Sequence, residues 1–512
     1  MKYLQMLAKP ALVVSCTLAS LGTVSAASVT WNNSELHDVS IMMSEPMMRV
    51  NGGYHELLDS HYLKPIYGDN KTVMAPLDDI IDELNGIFSI QGDTVTLGLN
   101  DQRIEMTVGT LSTRVNGVVV EAPVAPQRIE GAIYLPFRFV FEQLGAKYTW
   151  NSKRERAEAI LLRPAGSLFK SQKGSISIKT IYKQAPEWFA SNEATAVADA
   201  MVANQNPDGG WFKLGSSDSL AQVYDRETFP TYRQKSTIDN DATYVQVTTL
   251  AKVFSHTQNE SYKQSALKGI RYLLDGQLNN GGWPQFFPNP TGYHRHITFN
   301  DNAIANTLEL LGKVASQQQE FSFVPTAMAN QAKAAVQKGV ALILDRQVVV
   351  NGKKTGWCAQ YHFETLACEK GRSYELAAIS GGESVNVIKF LMSIEAPSPA
   401  VIEAVNSAVA FLHSQTIHDK KMVKVKDVTT EFGQKRVVID KEGSAMWPRF
   451  INLDTLAPLF SNRQGDRLEH FEDVSYERAI KYSWYVTGPG KLIKNHYPKW
   501  QQAHSPELNV LK

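Results

Sequence analysis

The chain has 512 residues, of which 43% are hydrophobic and 20% are charged, as in an ordinary globular protein with room for two or three domains. Its formal net charge is +1, so no overall electrostatic field indicates a nucleic acid or a membrane surface as a partner. After residue 26, no stretch reaches the roughly 18 consecutive apolar residues that a membrane-spanning helix needs.

Residues 1–26 have the pattern of a secretory signal peptide. The basic residues Lys2 and Lys9 precede an apolar run that closes with a Val-Ser-Ala cleavage pattern at Ala26. Lipoprotein processing at Cys16 is the alternative, although the apolar run continues past that residue. We therefore expect the mature protein to be secreted or periplasmic.

Residues 29–163 contain an internal repeat. An Arg-Val-Asn-Gly turn ends at Gly52 and again at Gly117, and a short helix follows Pro76 and again Pro136. These signals predict a small duplicated α+β module, which resembles the N-terminal domain of copper amine oxidases. It holds no grouped His or Cys, so we expect no copper there and favour a spacer, or a contact with the cell wall or envelope.

Residues 179–512 follow a polar linker at 164–178 and repeat with a period of about 70 residues. Four predicted helices end in Gln, and each is followed by a turn that leads to a Trp; the four are Gln205, Gln277, Gln347 and Gln415. A second amphipathic helix follows each of the first three turns, at about 241–256, 302–317 and 383–394. This pattern predicts stacked helical hairpins. We therefore predict a mainly α protein: an incomplete (α/α)3 toroid preceded by the duplicated α+β module.

Acidic side chains precede the second helix in two of the repeats, at positions that should meet at one end of the toroid. Carboxylate and amide oxygens suit calcium rather than zinc or copper. Asp239 and Asp301 are therefore the candidate calcium ligands, and Asp241 is a further candidate. Each Asp could instead cap its helix, but the recurrence in two repeats favours a metal.

Three arginines lie in loops framed by Gly, Pro or Asn: Arg372, Arg449 and Arg463. Arginine binds carboxylates through two parallel hydrogen bonds. Together with the acidic cluster, these loops predict a site for an anionic polymer.

Four ordered motifs between about residues 185 and 500 carry a family resemblance: GGWPQFFP, YHRHITFNDNAI, GRSYELAAISGGESVNVIKFL and WPRFINLDTLAPLFSNRQG. They resemble the pectate lyases of polysaccharide lyase family 10. The resemblance implies an incomplete α/α toroid and cleavage of de-esterified homogalacturonan (polygalacturonate) by calcium-dependent anti-β-elimination, which yields 4,5-unsaturated oligogalacturonates. We expect such an enzyme to act as a monomer.

The resemblance also implies roles for individual residues. Arg372 would be the catalytic base, Asp239 and Asp301 would serve the calcium, and Asn240 would lie beside the metal at the substrate. Arg449 and Arg463 would hold substrate carboxylates. The loop Gly281–Asn302, here called the central loop, holds two more candidates. His296 is a candidate for hydrogen bonding to sugar hydroxyls or to the calcium-site carboxylates, and Trp283 is either a sugar-facing wall or a packing residue.

Some choices stay open at this stage. Arginine is almost always protonated, so an arginine base predicts an alkaline optimum on the order of pH 9 to 10; Lys235 and His296 are alternative bases. An inverting glycoside hydrolase using Asp239 and Asp301, or a non-catalytic acidic-glycan-binding protein, are the competing functions. Cys358 and Cys368 fit a disulfide and free thiols equally well.

Overall fold

The structure is a computed structural model that describes residues 34–43, 47–50, 53–56, 63–84, 86–99, 102–153, 155–164, 173–226, 234–288, 290, 292–430, 433–462 and 465–511. The predicted signal peptide (1–26), the central part of the predicted linker (165–172) and Arg463 lie outside these residues.

The N-terminal region consists of fourteen described strands and two short helices. The strands are β1 Ser34–Met42, β2 Met47–Val50, β3 Gly53–Glu56, β4 Ile66–Tyr67, β5 Val73–Ala75, β6 Ile87–Gln91, β7 Thr94–Leu99, β8 Gln102–Thr107, β9 Ser112–Val115, β10 Val118–Glu121, β11 Gln127–Ile129, β12 Ala132–Pro136, β13 Lys147–Asn151 and β14 Arg156–Pro164. The helices are α1 Asp78–Glu83 and α2 Phe137–Gln143.

The two halves of this region exchange strands. One sheet has the order β13-β14-β1-β2-β3, and the other has the order β10-β9-β8-β7-β6. The hairpin after each short helix thus completes the sheet of the opposite half. The strands before the two helices also pair with each other, with Ala75 opposite Leu135. One buried apolar core joins both halves, so neither half has a complete sheet by itself.

The remaining helices belong to the second region. They are α3 Ile178–Ile181, α4 Asn192–Asn204, α5 Tyr244–Thr257, α6 Glu260–Asp275, α7 Ala303–Ser316, α8 Thr326–Asp345, α9 Glu383–Met392, α10 Pro399–Ser414, α11 Tyr476–Lys481, α12 Gly488–Lys491 and α13 Tyr497–His504, with a π-helical turn at Leu492–His496. Helices α5, α7 and α9 pack side by side, and α6, α8 and α10 each pack outside one of them. The three second helices predicted from the repeat are confirmed to within a few residues. No helix in the described residues is long and apolar enough to cross a membrane.

The turns of the repeat are built from recurring hydrogen bonds. The indole N–H groups of Trp211, Trp283, Trp357 and Trp447 each donate to a carbonyl of the helix before the turn, at 2.6 to 2.7 Å. Three Gln amides also recur: Gln205, Gln277 and Gln347 each donate to a carbonyl in their own turn and to one in the next outer helix. The repeat is therefore a structural unit whose turn residues join successive layers.

Two glycines show why this turn needs its sequence. Gly209 and Gly281 both have φ +95°, a left-handed conformation that glycine adopts without strain. A Cβ atom at Gly281 would lie 2.4 Å from the carbonyl oxygen of Lys338 on the adjacent outer helix. The Gly-Gly pair thus lets the turn approach the next helix closely.

The prediction of a mainly α protein is wrong. The structure has 39% helix and 26% strand, and many strands lie in the second region as well. These are β15 Ile297–Thr298, β16 Val349–Val350, β17 Lys353–Lys354, β18 Trp357–Cys358, β19 Gln360–Tyr361, β20 Ile379–Ser380, β21 Ile417–Lys426, β22 Gln434–Pro448, β23 Phe450–Ile451, β24 Phe460–Ser461, β25 Arg467–Leu468 and β26 Tyr485–Val486. Most are two-residue pairings between loops distant in the chain, which leave no periodic signal in the sequence. The fourth turn is expanded into the long hairpin β21–β22.

Candidate active site

Two turns before inner helices bring the acidic side chains together. The 3₁₀ turns Asp239–Asp241 and Asn300–Asn302 have the same backbone, with left-handed Asn240 (φ 47°) and Asp301 (φ 49°) at matching positions. Asn and Asp tolerate this conformation better than most residues. Asp and Asn are thus interchanged between the turns, and the Asp301 carboxyl group, when protonated, is placed to donate a hydrogen bond to the Asp239 carboxylate.

The two carboxyl groups have different electrostatic environments. Asp239 is 4% exposed; burial alone would raise its pKa, but Lys213, whose Nζ lies 2.5 Å from Oδ2, holds the pKa below its ordinary value. Asp301 is open to solvent on one side, yet the surrounding protein and then the charge of Asp239 raise its pKa to about 7. Lys213 therefore compensates the negative charge of Asp239 more fully than that of Asp301.

Asp241 has other partners. Its carboxylate accepts a 2.5 Å hydrogen bond from Asn306 on α7 and another from Tyr182, and burial raises its pKa. Asn240 donates to Oδ1 of Asp239 at 3.1 Å and so supports the first carboxylate directly.

Arg372 is held in a fixed orientation by a buried carboxylate. Its Nε and Nη2 donate to the two oxygens of Glu375 at 3.0 and 2.6 Å, and Tyr482 donates to the same carboxylate at 2.8 Å. Burial would raise the pKa of Glu375, but Arg372 lowers it to about 2. The guanidinium also lies 4.9 Å from the ring centre of Tyr374. The ion pair and this ring together hold the guanidinium in one position and orientation.

Arg449 forms a second supported cation. Its Nη2 donates to Glu383 at 2.9 Å, and its guanidinium lies 4.9 Å from the ring centre of Tyr482. Although burial opposes it, the carboxylates of Glu383 and, less strongly, Asp301 raise its pKa. Ser380 hydrogen-bonds to the other oxygen of Glu383, which fixes this ion pair at the start of α9.

The histidines of the central loop lie in different places. His294 is near both the acidic and the basic groups: burial lowers its pKa to about 4, and Asp239, Lys213, Lys235 and Arg372 all influence it. His296 instead packs against His362, with ring centres 5.0 Å apart. His294 therefore marks the point where the acidic and arginine clusters face each other.

Trp283 is fully buried, and its indole N–H is bonded to the carbonyl of Leu273. This placement corresponds to the packing role and leaves no ring face for a sugar. Cys358 and Cys368 form a disulfide with a Cα–Cα distance of 5.8 Å.

Three charged residues were not assigned a role from the sequence: Lys213, Glu375 and Glu383. Glu375 and Glu383 stand within the quoted arginine motif, and their spacing from Arg372 and from the Gly-Gly pair could have drawn attention to them. Lys213 follows the first Gly-Gly-Trp turn, and nothing in its local sequence distinguishes it from an ordinary surface lysine.

Both regions of the chain are similar to known proteins. The family model of pectic acid lyase matches residues 205–493, and that of the copper amine oxidase N-terminal domain matches residues 56–158. Two solved structures of a family 10 polysaccharide lyase from Cellvibrio cellulosa, one of them a mutant in complex with trigalacturonic acid, are each 29% identical to this chain with a TM-score of 0.53. They align with 62% of this chain and with 96% and 94% of their own. A comparison with curated proteins gave no match.

The helical region is that of a polysaccharide lyase. More specifically, the chain belongs to the pectic acid lyase family, because that family model covers more than half of its length, and its activity is that of a pectate lyase.

Proposed function

We propose that the protein is a secreted pectate lyase that cleaves de-esterified homogalacturonan by calcium-dependent anti-β-elimination and releases 4,5-unsaturated oligogalacturonates. The observation that supports this best is electrostatic proximity: Arg449 interacts with Asp301, and His294 interacts with both Asp239 and Arg372. A polymer with one carboxylate per sugar can be bound by arginines and by a cation held between carboxylates.

The residues present fit a calcium ion. Asp239 and Asp301 offer hard carboxylate oxygens. Burial, and after it the like charge of Asp239, raises the pKa of Asp301, and a bound cation would stabilise the ionised form of both groups. No group of three or more His, Cys, Asp or Glu arranged for a metal occurs among the described residues, so water, amide or substrate oxygens would complete the coordination. When bound there, calcium would neutralise the substrate carboxylate and make the adjacent C5 proton more acidic.

The arginines would bind and orient the substrate. We assign Arg449 to a substrate carboxylate, because its guanidinium is fixed by Glu383 and Tyr482 and lies within electrostatic reach of Asp301. Arg463, which lies outside the described residues, is proposed for the same role on sequence grounds. Asn240 holds the Asp239 carboxylate and is proposed to lie beside the substrate.

Arg372 is the proposed base that removes the C5 proton. Its pairing with Glu375 fixes the direction of the guanidinium, but the same ion pair favours the protonated form. The fraction of neutral Arg372 must therefore rise with pH, and we expect kcat/KM to increase up to about pH 9 to 10. A pH–rate profile on polygalacturonate tests this, and a maximum near pH 5 would exclude an arginine base.

The reaction class is tested by incubating the protein with polygalacturonate, with and without a calcium chelator. Ultraviolet absorbance of the unsaturated product that disappears with chelator supports the proposal. New reducing ends without that absorbance would indicate a glycoside hydrolase, and neither signal would indicate a binding protein.

We further propose export to the periplasm or the exterior, on the basis of residues 1–26 alone. Mass spectrometry of the N-terminus of protein recovered from the cell envelope or medium should begin at Ala27. A retained N-terminus in the cytosol would contradict export.

A further inference from the structure

A second cationic depression lies away from the active site, between the C-terminal half of α9 and the last helices of the chain. Its volume is about 640 Å³, within the range of pockets that hold small organic ligands. We call it the basic pocket and define it by Lys389, Lys491, His496, Lys499 and Trp500.

The basic pocket is at the opposite end of α9 from the catalytic groups. Glu383, which holds Arg449, is the first residue of α9, and the helix ends at Met392, which lines the basic pocket. With a rise of about 1.5 Å per residue, these two positions are roughly 14 Å apart along the helix axis. A ligand in the basic pocket would therefore not occupy the cleavage site.

The positive charges of the basic pocket are uncompensated. Lys389, Lys491 and Lys499 are exposed, and no carboxylate is among the described residues that line the depression. Although Lys389 is exposed, the protein around part of its side chain and then the neighbouring charge of Lys491 lower its pKa. Like charges held this close repel one another unless an anion binds between them.

Two further features belong to the walls of the depression. Trp500 lines it and is 6% exposed, so its ring forms a fixed part of the wall. The wall that carries Asn495 and His496 belongs to the π-helical turn Leu492–His496, a rare conformation that is frequent at functional sites.

We propose that the basic pocket binds a carboxylated sugar chain, namely a second segment of the polygalacturonate substrate, and so anchors the polymer outside the cleavage site. The proposal rests on pectate being the substrate of this protein. The pectic acid lyase match ends at residue 493, so His496, Lys499 and Trp500 lie beyond the family's matched segment. An anchor of this kind raises the local concentration of polymer at the cleavage site without a new catalytic contact.

The test is calorimetric titration of the full-length protein with tetragalacturonate in the presence of chelator, so that no turnover occurs. The double variant Lys491→Gln/Lys499→Gln changes two exposed side chains, and we expect it to lose one binding event or to bind there at least about tenfold more weakly. The control Lys333→Gln/Lys338→Gln makes the same charge change on exposed positions of α8 and should bind like the wild type.

Kinetics provide a second readout with calcium present. The Lys491→Gln/Lys499→Gln variant should show a several-fold higher KM on long polygalacturonate with unchanged kcat, and unchanged kcat/KM on digalacturonate or other chains too short to occupy both sites. Because the titration needs no catalysis, an inactive protein would refute the proposed reaction without deciding the binding result.

Three results would overturn the proposal. The first is equal binding of tetragalacturonate by the wild type and the double variant, and the second is equal weakening in the Lys333→Gln/Lys338→Gln control. The third is calorimetric binding of inorganic phosphate, but not of tetragalacturonate, that the double variant abolishes, which would make the pocket a site for a different anion.

Discussion

The two duplicated regions of this protein join their copies in opposite ways. In residues 34–164 the copies exchange strands, so that each five-stranded sheet takes a hairpin from the other copy and one core serves both. In the helical region each copy stacks on the next through its Trp and Gln turn, and the copies remain distinct.

The difference has a consequence for function. Stacking repeats the same turn at one end of the helices, so polar residues at related positions meet there. The interchange of Asp and Asn between two such turns then creates the Asp239–Asp301 pair. Strand exchange instead places the shared part of both copies inside one core. Two carboxyl groups with strongly shifted pKa values, Asp301 and Glu375, lie in the helical region.

The largest expected effect comes from Arg372 in the helical region. Arg372→Ala should lower kcat on polygalacturonate by about 10²- to 10⁴-fold, the usual contribution of a positioned base, while binding of trigalacturonate is largely retained. Ultraviolet absorbance of the product measures the rate. Arg467→Ala, which removes an exposed arginine, is the control, and full activity of Arg372→Ala would refute its role as base.

The next largest effect should be on stability. Trp283→Ala removes a fully buried side chain and its hydrogen bond to Leu273, and should lower the free energy of unfolding by about 3–5 kcal/mol. Trp150→Ala in the N-terminal region removes a 38% exposed ring and should cost no more than about 1 kcal/mol. Denaturant unfolding measures both. A stable Trp283→Ala protein with impaired sugar binding would indicate that Trp283 contacts the substrate.

Calcium binding should depend on pH in a defined direction. The pKa of Asp301 is raised to about 7, so below that pH the group holds a proton that must leave before calcium binds. The affinity should therefore fall by up to about tenfold per pH unit below pH 7 and level off above it. Calorimetry from pH 5 to pH 8 measures this.

The matched variants decide which carboxylate is responsible. Asp301→Asn should weaken calcium binding and remove its pH dependence, whereas Asp241→Asn should leave both nearly unchanged, because Asp241 is engaged by Asn306 and Tyr182. The reverse pattern would indicate that Asp241, and not Asp301, binds calcium.

The smallest expected effect on activity comes from the N-terminal core. Phe141 is fully buried there, so Phe141→Ala should destabilise that region by about 3–5 kcal/mol and leave kcat/KM on polygalacturonate unchanged. Phe321→Ala in the helical core is the comparison and should lower thermal stability of the active region. A loss of catalysis in Phe141→Ala would show that the two regions are functionally coupled.

Much of the fold was readable because its signals are local. The Gln-to-Trp period predicted α5, α7 and α9, since amphipathic spacing and left-handed glycines are properties of short segments. The overall class was mispredicted because the short strands near the site form between distant loops, where no segment carries a period of its own.

The sequence by itself determined the family, the repeats and the identity of the arginines and aspartates, since each depends on residue type and spacing along the chain. Only the tertiary structure decided which of them act together. In the folded chain Arg372 contacts Glu375, and Asp239 contacts Lys213. Asp241 contacts Asn306 instead, and His294 rather than His296 lies near the charged cluster. These outcomes depend on distances across repeats, and the burial and neighbouring charges that set a pKa exist only after the chain has folded.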